Sequence, residues 1–529
     1  MSHVSRLLFV STLALSVASP SLAQSGRRGD NATTDRLWAA NCMQCHGRDG
    51  GGGMPGVPSL LDAKYQDAAS VIDLDRSLFD AIKNGKPGGK GVLQMNAFGA
   101  ALSDEQIWGL VNYIREQQFG ALREKGGEGP KIERVGGVEV FKTQHHTYTI
   151  ETVIDSGVDT PWSVDFLPTG PMLVTTRAGE LKMHETGKAG GRLGFALRDV
   201  PTVRSRGQGG LMDVAVHPNY AKNGWIYLAF TDPQGPNQQK GMTKIVRGTI
   251  KEGAFAEQKT IFQIKPEHYQ DGDIHFGCRI VFDPADPTTM FFCMGERGRG
   301  ELAQDLARPN GKVYRVKDDG SVPSDNPFVA MGDKAYAAIW SYGHRNPQGL
   351  AFDLDGNLWE TEHGPRGGDE LNLIKPGKNY GWPLISFGIN YNGSPIVTPW
   401  SDTGKKPAGP FEMPVYRWMP SIAACGLDVM RGPPTAAGAS TPSASAEALF
   451  PNWRGDLFAG GLAGQTVQRL RIKDGKVVER EEVFAGRGRV RDVVCGLDGS
   501  LYIVLNGPDK VVRLVPAPAA STTPATRAK

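Results

Sequence analysis

The sequence predicts a multidomain protein, a small all-α domain followed by an all-β six-bladed β-propeller. The chain has 529 residues, enough for a small module plus a large one. Residues 34–41 and 107–114 carry helical patterns, whereas short β-type runs recur from Val138 onward. The 68 glycines and 36 prolines favour short strands joined by tight turns in the larger domain.

The first residues have the pattern of an export signal. Arg6 precedes the apolar stretch Leu7–Val17, and Ser21-Leu22-Ala23 supplies small residues for cleavage. This stretch is too short to cross a bilayer as a helix, and an uncleaved anchor is the alternative. Because no later stretch is long and apolar enough to span, we expect a signal peptide at residues 1–23, a periplasmic location and no membrane span.

Charge and cysteine content narrow the classes of partner. The net charge is +3, from 59 basic and 56 acidic residues without a block of like charge. Neither nucleic acid nor an anionic membrane is therefore an expected partner. An oxidising compartment permits disulfides, but buried thiols are an equal alternative, and the sequence leaves the pairing open. The cysteines concerned are Cys278, Cys293, Cys425 and Cys495.

The all-α domain is assigned to residues 30–119. A short helix at residues 34–41 leads into Cys42. Ser103 is placed to cap the closing helix, with Gln106 at the reciprocal position. Apolar residues then recur at helical spacing at 107, 110, 111 and 114. A polar, glycine-rich run without periodicity follows, so residues 120–140 are predicted to be a linker.

A haem-attachment motif lies early in this domain. Cys42-Met-Gln-Cys45-His46 fits Cys-x-x-Cys-His, in which two thiols on one helical turn bind the haem and the imidazole faces the iron. A redox Cys-x-x-Cys is the alternative. Met95 is the expected sixth ligand, since Met54 follows His46 too closely to reach the opposite face. The segment resembles a class I cytochrome c domain, which implies one covalent haem c.

A repeated signature indicates the propeller. Six imperfect copies of a turn followed by a strand lie at residues 171–175, 224–230, 290–294, 356–360, 455–459 and 499–504. A β-sandwich, the competing architecture, would not repeat one signature over such a length. We therefore assign residues 141–515 to the propeller. Residues 432–448 are predicted to be a surface insertion and residues 516–529 a disordered tail.

Four runs in this region carry a family resemblance. They are residues 275–279 (HFGCR), 341–349 (SYGHRNPQG), 362–370 (EHGPRGGDE) and 377–383 (GKNYGWP). Together they resemble the PQQ-dependent soluble aldose sugar dehydrogenases of the glucose/sorbosone dehydrogenase family. The resemblance covers nearly all of residues 161–515. It implies a six-bladed enzyme that uses PQQ and Ca²⁺ to oxidise a CH–OH group of a sugar.

The resemblance also implies roles for individual residues. His275 corresponds to the general base for the anomeric hydroxyl, as hydride transfer from an alcohol requires. Arg345 and Asn346 correspond to contacts with the quinone oxygens, where an arginine stabilises developing negative charge. The remaining positions that match cofactor contacts are Gln208, His363, Tyr391, Arg489 and Arg491.

Calcium is implied in the same way. The backbone carbonyls of Gly364 and Pro365 match ligands of a Ca²⁺ that also binds PQQ, with Asp369 as a nearby supporting carboxylate. Glu370 and the Tyr380 carbonyl match a second, structural Ca²⁺ site.

Two positions depart from the family pattern. Ala463 stands where members often carry a lysine that contacts PQQ, so the site has one cation fewer. Glu296 stands where an aspartate is common.

The leading functional hypothesis is a quinohaemoprotein that oxidises aldoses to lactones. PQQ takes two electrons, the haem accepts them one at a time, and an external cytochrome or oxidase receives them. One alternative is a dehydrogenase of L-sorbosone or another aldehyde or polyol-derived substrate. Another is a non-catalytic binding propeller with an electron-transfer haem domain.

Overall fold

The computed structural model describes residues 31–61, 74–125, 129–185, 191–192, 194–388, 390–391, 396, 409–432 and 449–517. The expected signal peptide at residues 1–23 lies outside this part of the chain. So do residues 433–448 of the predicted insertion and residues 518–529 of the predicted tail. None of the described helices combines the length and the apolar character needed to span a bilayer.

The all-α domain contains α1 (Asn31–Asn41), α2 (Met43–His46), α3 (Leu74–Asn84) and α4 (Asp104–Lys125). The predicted cap of α4 is present. The Ser103 N–H donates to Gln106 Oε1 at 2.9 Å, and the Gln106 N–H donates to Ser103 Oγ at 3.3 Å. The apolar face of α4 packs against Trp38 and Phe79, and these side chains form one buried core.

In the rest of the described chain β-strands predominate, together with one short α-helix, α5 (Tyr220–Asn223), and short 3-10 helices. In chain order they are β1 (Lys131–Val135), β2 (Val138–Lys142), β3 (Thr147–Ser156), β4 (Pro161–Phe166), β5 (Met172–Thr176), β6 (Leu181–His184), β7 (Gly191–Arg192), β8 (Leu211–Val216), β9 (Ile226–Gln234), β10 (Lys240–Lys251), β11 (Ala254–Phe262), β12 (Ile280–Phe282), β13 (Thr289–Met294), β14 (Lys312–Lys317), β15 (Ile339–Tyr342), β16 (Pro347–Phe352), β17 (Leu358–Glu362), β18 (Asp369–Ile374), β19 (Tyr416–Trp418), β20 (Ala424–Val429), β21 (Leu457–Gly461), β22 (Thr466–Lys473), β23 (Lys476–Ala485), β24 (Arg489–Cys495), β25 (Leu501–Asn506) and β26 (Lys510–Pro516).

Within the described residues these strands form six sheets, one per blade. Five of the blades are β4–β6, β8–β11, β12–β15, β16–β19 and β20–β23. The sixth combines β24, β25 and β26 with β3, and adds β2, β1 and the short β7 at its outer side. The six sequence repeats fall on β5, β9, β13, β17, β21 and β25, the second strand of every blade. The predicted fold class is confirmed.

The ring of blades is closed by strands from the two ends of the propeller. β26 pairs antiparallel with β3, with Val512 opposite Thr152 and Leu514 opposite Ile150. The first strands of the blades, β4, β8, β12, β16, β20 and β24, contact one another in that order, and β24 contacts β4 again. These six strands are therefore the innermost strands and surround the central axis.

The segment predicted to be a linker, residues 120–140, has regular structure at both ends. Helix α4 continues to Lys125, and β1 and β2 form a hairpin. Gly136 and Gly137 make its turn with φ of 59° and 86°, which favours glycine at both positions. Every residue of β1 is exposed. Because neither face of the strand is buried, its sequence lacks the alternation of apolar and polar residues that predicts a half-buried strand.

A buried ion cluster joins the innermost strands across the axis. Arg279 Nη1 donates to Asp213 Oδ1 and to Asp492 Oδ2, both at 2.8 Å, and to Ser163 Oγ at 3.2 Å. These residues belong to or immediately precede β4, β8, β12 and β24, and all are almost completely buried. Burial raises the pKa of both aspartates, to about 7 for Asp492, while Arg279 opposes the rise.

The four propeller cysteines are thiols in this structure, the second of the two alternatives left open by the sequence. Cys278, Cys293 and Cys425 are buried, and Cys495 is half-buried. Burial raises the pKa of the Cys495 thiol to about 11, which keeps it protonated and unreactive at neutral pH.

Replacing Arg279 by methionine is expected to destabilise the propeller by about 3–5 kcal/mol, because two buried carboxylates lose their counter-charge. Folded-state pKa values raised above those of the unfolded chain give a stability that falls as pH rises. The loss relative to wild type should therefore be larger at about pH 8 than at about pH 5. Denaturant unfolding at both pH values measures it, and an equal loss at both would contradict the role assigned to the cluster.

Candidate functional site

Most of the residues predicted to bind PQQ or the sugar lie at one end of the ring, because they begin or precede an innermost strand. Gln208 precedes β8, His275 precedes β12, and Arg345 and Asn346 precede β16. Arg489 opens β24. Hydrogen bonds connect neighbouring blades here: the His275 N–H donates to Gln208 Oε1 at 2.8 Å, and the Glu296 N–H donates to the Arg345 carbonyl at 2.8 Å. We call this the site end.

His275 and Glu296 form a buried pair. The imidazole Nδ1 of His275 makes a short hydrogen bond to Glu296 Oε1. His275 is 9% exposed and Glu296 2% exposed. Burial lowers the pKa of His275, the hydrogen bond that its imidazole donates to Glu296 opposes this, and the charge of Arg345 lowers the pKa further. The pair therefore provides a neutral imidazole with a fixed orientation, whose other nitrogen is free to accept a proton.

An amide network fixes the backbone beside His275. Asn346 Oδ1 accepts the Gly277 N–H at 3.3 Å and the Gln348 Nε2 amide at 3.2 Å. The Gln348 amide also donates to the Gly277 carbonyl at 3.0 Å. Because β12 and β16 are joined in this way, Asn346 lies next to the residues that carry the imidazole.

Three arginines bring positive charge to the site end. None of Arg345, Arg489 and Arg491 makes an ion pair with a carboxylate of the described residues. The Arg345 guanidinium lies 5.2 Å from the centre of the Trp382 ring, and the Arg491 guanidinium lies 4.1 Å from the centre of the Trp162 ring. Aromatic faces stabilise the cations without neutralising them. The charge remains available to an anion.

The pKa of His363 shows that these positive charges lie close together. Its pKa lies well below the usual range, first because the imidazole is buried and then because of the charges of Arg491, Arg345, His275 and Arg489. Its Nε2 is buried without a hydrogen-bond partner in the described structure. A buried polar atom without a partner costs free energy unless a ligand satisfies it. His363 is therefore placed to contact a bound group.

The carbonyls of Gly364 and Pro365 differ in their availability. Gly364 O accepts one hydrogen bond, from Arg345 Nη1 at 3.0 Å, which leaves it one lone pair. Pro365 O accepts the Gly368 N–H at 2.8 Å and the Ser421 hydroxyl at 3.2 Å. A cation therefore fits Gly364 O more readily than Pro365 O, which first requires the Ser421 hydroxyl to turn away.

Asp369 holds this loop from behind. Its Oδ1 accepts the Gly364 N–H at 3.1 Å, and its Oδ2 accepts the Ala424 N–H at 3.0 Å. Burial raises the pKa of Asp369 to about 6. Its oxygens are occupied by backbone donors, so Asp369 supports the loop and does not face the site.

A cluster of carboxylates surrounds Glu370. The Asn372 amide donates to Glu360 Oε2 at 3.0 Å, Glu362 Oε1 at 3.1 Å and Glu370 Oε2 at 3.2 Å. Oxygens of Glu360 and Glu362 also lie within 4.8 Å of a nitrogen of His344. One amide has only two N–H groups for these three acceptors. Three carboxylates brought together in this way suit a hard cation such as Ca²⁺.

The three remaining predicted positions lie in different surroundings. Tyr380 is buried and its ring stacks on His344 at 4.6 Å, which places it beside the carboxylate cluster. Tyr391 is 59% exposed, and no contact joins it to the other predicted residues within the described part of the chain. Ala463 lies in the exposed turn after β21, where its N–H donates to the Ile422 carbonyl at 2.9 Å.

The haem-attachment residues lie within and beside α2. Cys42 is buried and Cys45 is exposed, and burial raises the pKa of the Cys42 thiol to about 11. The His46 Nδ1 is buried without a hydrogen-bond partner among the described residues. Met95 packs against the helical core, and backbone hydrogen bonds in both directions with Lys86 hold its loop. This donor set fits a covalently attached haem.

Several residues of the site end were not singled out by the sequence. Trp162 and Trp382 contact two arginines of the site. The only sequence signal for them was their position within or near the runs that carry the family resemblance. Glu360 and Glu362 were also missed as members of the cluster around Glu370. Their signal was the alternation Glu-Thr-Glu on a strand, which places both carboxylates on one face.

Two family models match the chain. The model described as Glucose / Sorbosone dehydrogenase matches residues 158–513. The model described as Cytochrome C oxidase, cbb3-type, subunit III matches residues 29–114. Among curated proteins, the aldose sugar dehydrogenase YliI of Escherichia coli (strain K12) is 38% identical over 363 residues, which cover 68% of this chain and 90% of that protein.

Solved structures give the same result. The apo form of the soluble aldose sugar dehydrogenase from Escherichia coli is similar with a TM-score of 0.60 and 34% identity, covering 70% of this chain and 100% of that one. The PQQ-bound aldose sugar dehydrogenase from Streptomyces coelicolor is similar with a TM-score of 0.53 and 27% identity, covering 70% and 98%. The chain therefore belongs to the glucose/sorbosone dehydrogenase family and carries a cytochrome c domain at its N-terminal side.

Proposed function

We propose that this protein is a periplasmic quinohaemoprotein that oxidises aldose sugars to lactones with PQQ and passes the electrons to a covalently bound haem c. One observation carries the proposal: a buried His275–Glu296 pair lies beside three arginines that have no carboxylate partner in the described part of the chain, at one end of the propeller. The relatives support it, since one is named an aldose sugar dehydrogenase and another is described as PQQ-bound.

His275 acts as the general base. Its Nδ1–H donates to Glu296, so Nε2 carries the lone pair that accepts the proton of the anomeric hydroxyl. The lowered pKa keeps the imidazole neutral at physiological pH. When the proton arrives, the buried Glu296 carboxylate stabilises the imidazolium. The pair therefore supplies both the base and the orientation that the reaction requires.

The arginines bind the cofactor. PQQ has three carboxylates and supplies the electrophile that accepts hydride from the sugar carbon. Arg489 and Arg491 would hold carboxylates, and Gln208, Asn346 and His363 would add polar contacts. Arg345 would turn from the Gly364 carbonyl to the quinone oxygens and stabilise the negative charge that develops there. With alanine at position 463, the two arginines on β24 carry more of the binding.

Calcium has two proposed positions. The carbonyls of Gly364 and Pro365 would bind a Ca²⁺ at the cofactor, where it would supply a hard Lewis acid. The second position is the carboxylate cluster, where Glu370 and the Tyr380 carbonyl would bind Ca²⁺ with Glu360 and Glu362 nearby. Burial, and after it the repulsion among the three carboxylates, raises the pKa of Glu370 and Glu360, and a cation there would relieve that repulsion.

Electrons leave through the cytochrome c domain. Cys42 and Cys45 would attach the haem, and His46 and Met95 would bind its iron, a ligand pair that raises the reduction potential. An external cytochrome or oxidase is the final acceptor. The periplasmic location follows from the expected signal peptide and from haem attachment.

The visible spectrum of PQQ- and Ca²⁺-loaded protein tests this proposal. Adding glucose or another aldose is expected to sharpen the haem bands as the iron is reduced, and chelation of Ca²⁺ beforehand should abolish the change. L-Sorbosone is tested in parallel. Reduction by L-sorbosone alone would contradict the aldose assignment, and an oxidised spectrum with every sugar would contradict the quinohaemoprotein itself.

Replacing Glu296 by glutamine is expected to lower kcat/KM by ~10-fold or more, because the imidazolium loses its counter-charge. It also removes a group that raises the pKa of His275, so the base limb of the pH profile should move to lower pH. Dye-linked sugar oxidation across the pH range measures both effects. Glu296→Asp, which keeps the carboxylate, is the matched control, and an unshifted limb in Glu296→Gln would contradict the pairing.

A further inference from the structure

We propose that residues 381–388, here called the bridge segment, connect the cofactor site to the haem domain, and that Arg115 docks that domain on the segment in a fixed position. The inference rests on the proposed function and extends it, because it assigns the route between the two redox groups. It concerns an interface between the two domains of one chain.

Arg115 is the polar anchor of this interface. It lies on α4 of the cytochrome c domain and is completely buried. Its Nη2 donates to the carbonyl of Phe387 at 2.9 Å, and its Nη1 donates to Gln118 Oε1 at 3.2 Å. The Gln118 amide donates to the Leu60 carbonyl at 2.7 Å, so the anchor is itself fixed within the domain. Holding a guanidinium buried requires such satisfied donors.

Apolar side chains of the propeller complete the core of the helical domain. Ile385 and Phe387 are 9% and 4% exposed and belong to the same buried cluster as Trp38 and Cys42. Phe411 and Met413 pack against this cluster as well. Propeller residues thus reach the core that contains a haem-attachment cysteine. A domain that swung freely on a tether would leave these side chains in water.

Both ends of the bridge segment lie at the site end, and Ile385 and Phe387 lie between them. The Trp382 ring lies beside the Arg345 guanidinium, and the backbone N–H of Trp382 donates to the Gly343 carbonyl at 2.9 Å. At Gly388, an added Cβ would approach Pro365 Cγ to 2.9 Å and Arg366 O to 2.7 Å. The segment is therefore packed against the loop that carries Gly364 and Pro365, with no room for a larger residue at its end.

This placement defines the transfer step. Oxidation of one aldose releases two electrons and two protons, and the single haem takes one electron at a time. It is therefore reduced and reoxidised twice for each lactone, and an external one-electron acceptor removes both electrons. A fixed interface keeps the haem beside the bridge segment through both transfers, whereas a tethered domain would have to return for each one.

Arg115→Gln, which removes the charge and the fork of donors, is the first test. Stopped-flow reduction of the haem by aldose in loaded protein should slow by ~10-fold or more. Reduction of a soluble dye by the propeller should stay unchanged. In haem-loaded protein without PQQ, small-angle X-ray scattering should show a larger maximum dimension. Arg36→Gln, an exposed arginine of α1 in the same domain, is the matched control and should behave as wild type.

Two further variants cover the case in which Arg115→Gln does not fold. Phe387→Ala removes the propeller side of the contact. It should likewise slow haem reduction and leave dye reduction unchanged. A Gly-Ser insertion of about five residues after Gly127 about doubles the chain between Lys125, the end of α4, and Lys131, the start of β1. If docking is fixed, it should change neither the rate of haem reduction nor the maximum dimension.

Slower haem reduction caused by the insertion, or unchanged haem reduction in both Arg115→Gln and Phe387→Ala, would overturn the fixed interface. If the dye is not reduced by any sugar, the proposed function fails instead. The scattering measurement then still tests whether the haem domain is docked on the propeller.

Discussion

Pairing between β26 and β3 closes the propeller, and the geometry of the site depends on that closure. The pairing brings β24 against β4, so that Arg489 and Arg491 face residues from β8, β12 and β16 that lie far away in sequence. No local element holds these side chains together. Hydrogen bonds within each blade build the strands, but only a closed ring brings the six innermost strands to one common end.

Charge is distributed unevenly along the central axis of this ring. Inside the ring, Arg279 is neutralised by Asp213 and Asp492, and this cluster joins the innermost strands of four blades. At the site end, Arg345, Arg489 and Arg491 have no carboxylate partner among the described residues, and Glu296 is paired with the neutral imidazole of His275. The first arrangement suits stability and the second suits an anionic ligand. The proposed oxidation, which needs a site for the tricarboxylate PQQ, requires the second.

Local motifs predicted what local sequence determines. The capping pair Ser103 and Gln106, the strand repeats and the family positions were all found from short runs of sequence. Contacts between distant segments could not be found in this way. Trp162 supports Arg491 across some 330 residues, and Arg115 donates to a carbonyl 272 residues away. The exposed strand β1 had no apolar alternation to reveal it, because its stability comes from backbone pairing at a sheet edge.

The most direct test of the site is calorimetric titration of the protein with PQQ in the presence of Ca²⁺. One PQQ is expected to bind per chain, with an affinity that falls on Arg491→Gln by ~10-fold or more and is unchanged in the exposed control Arg454→Gln. That result would establish the unpaired arginines as the cofactor site. Absence of binding, or equal affinity in all three proteins, would contradict it.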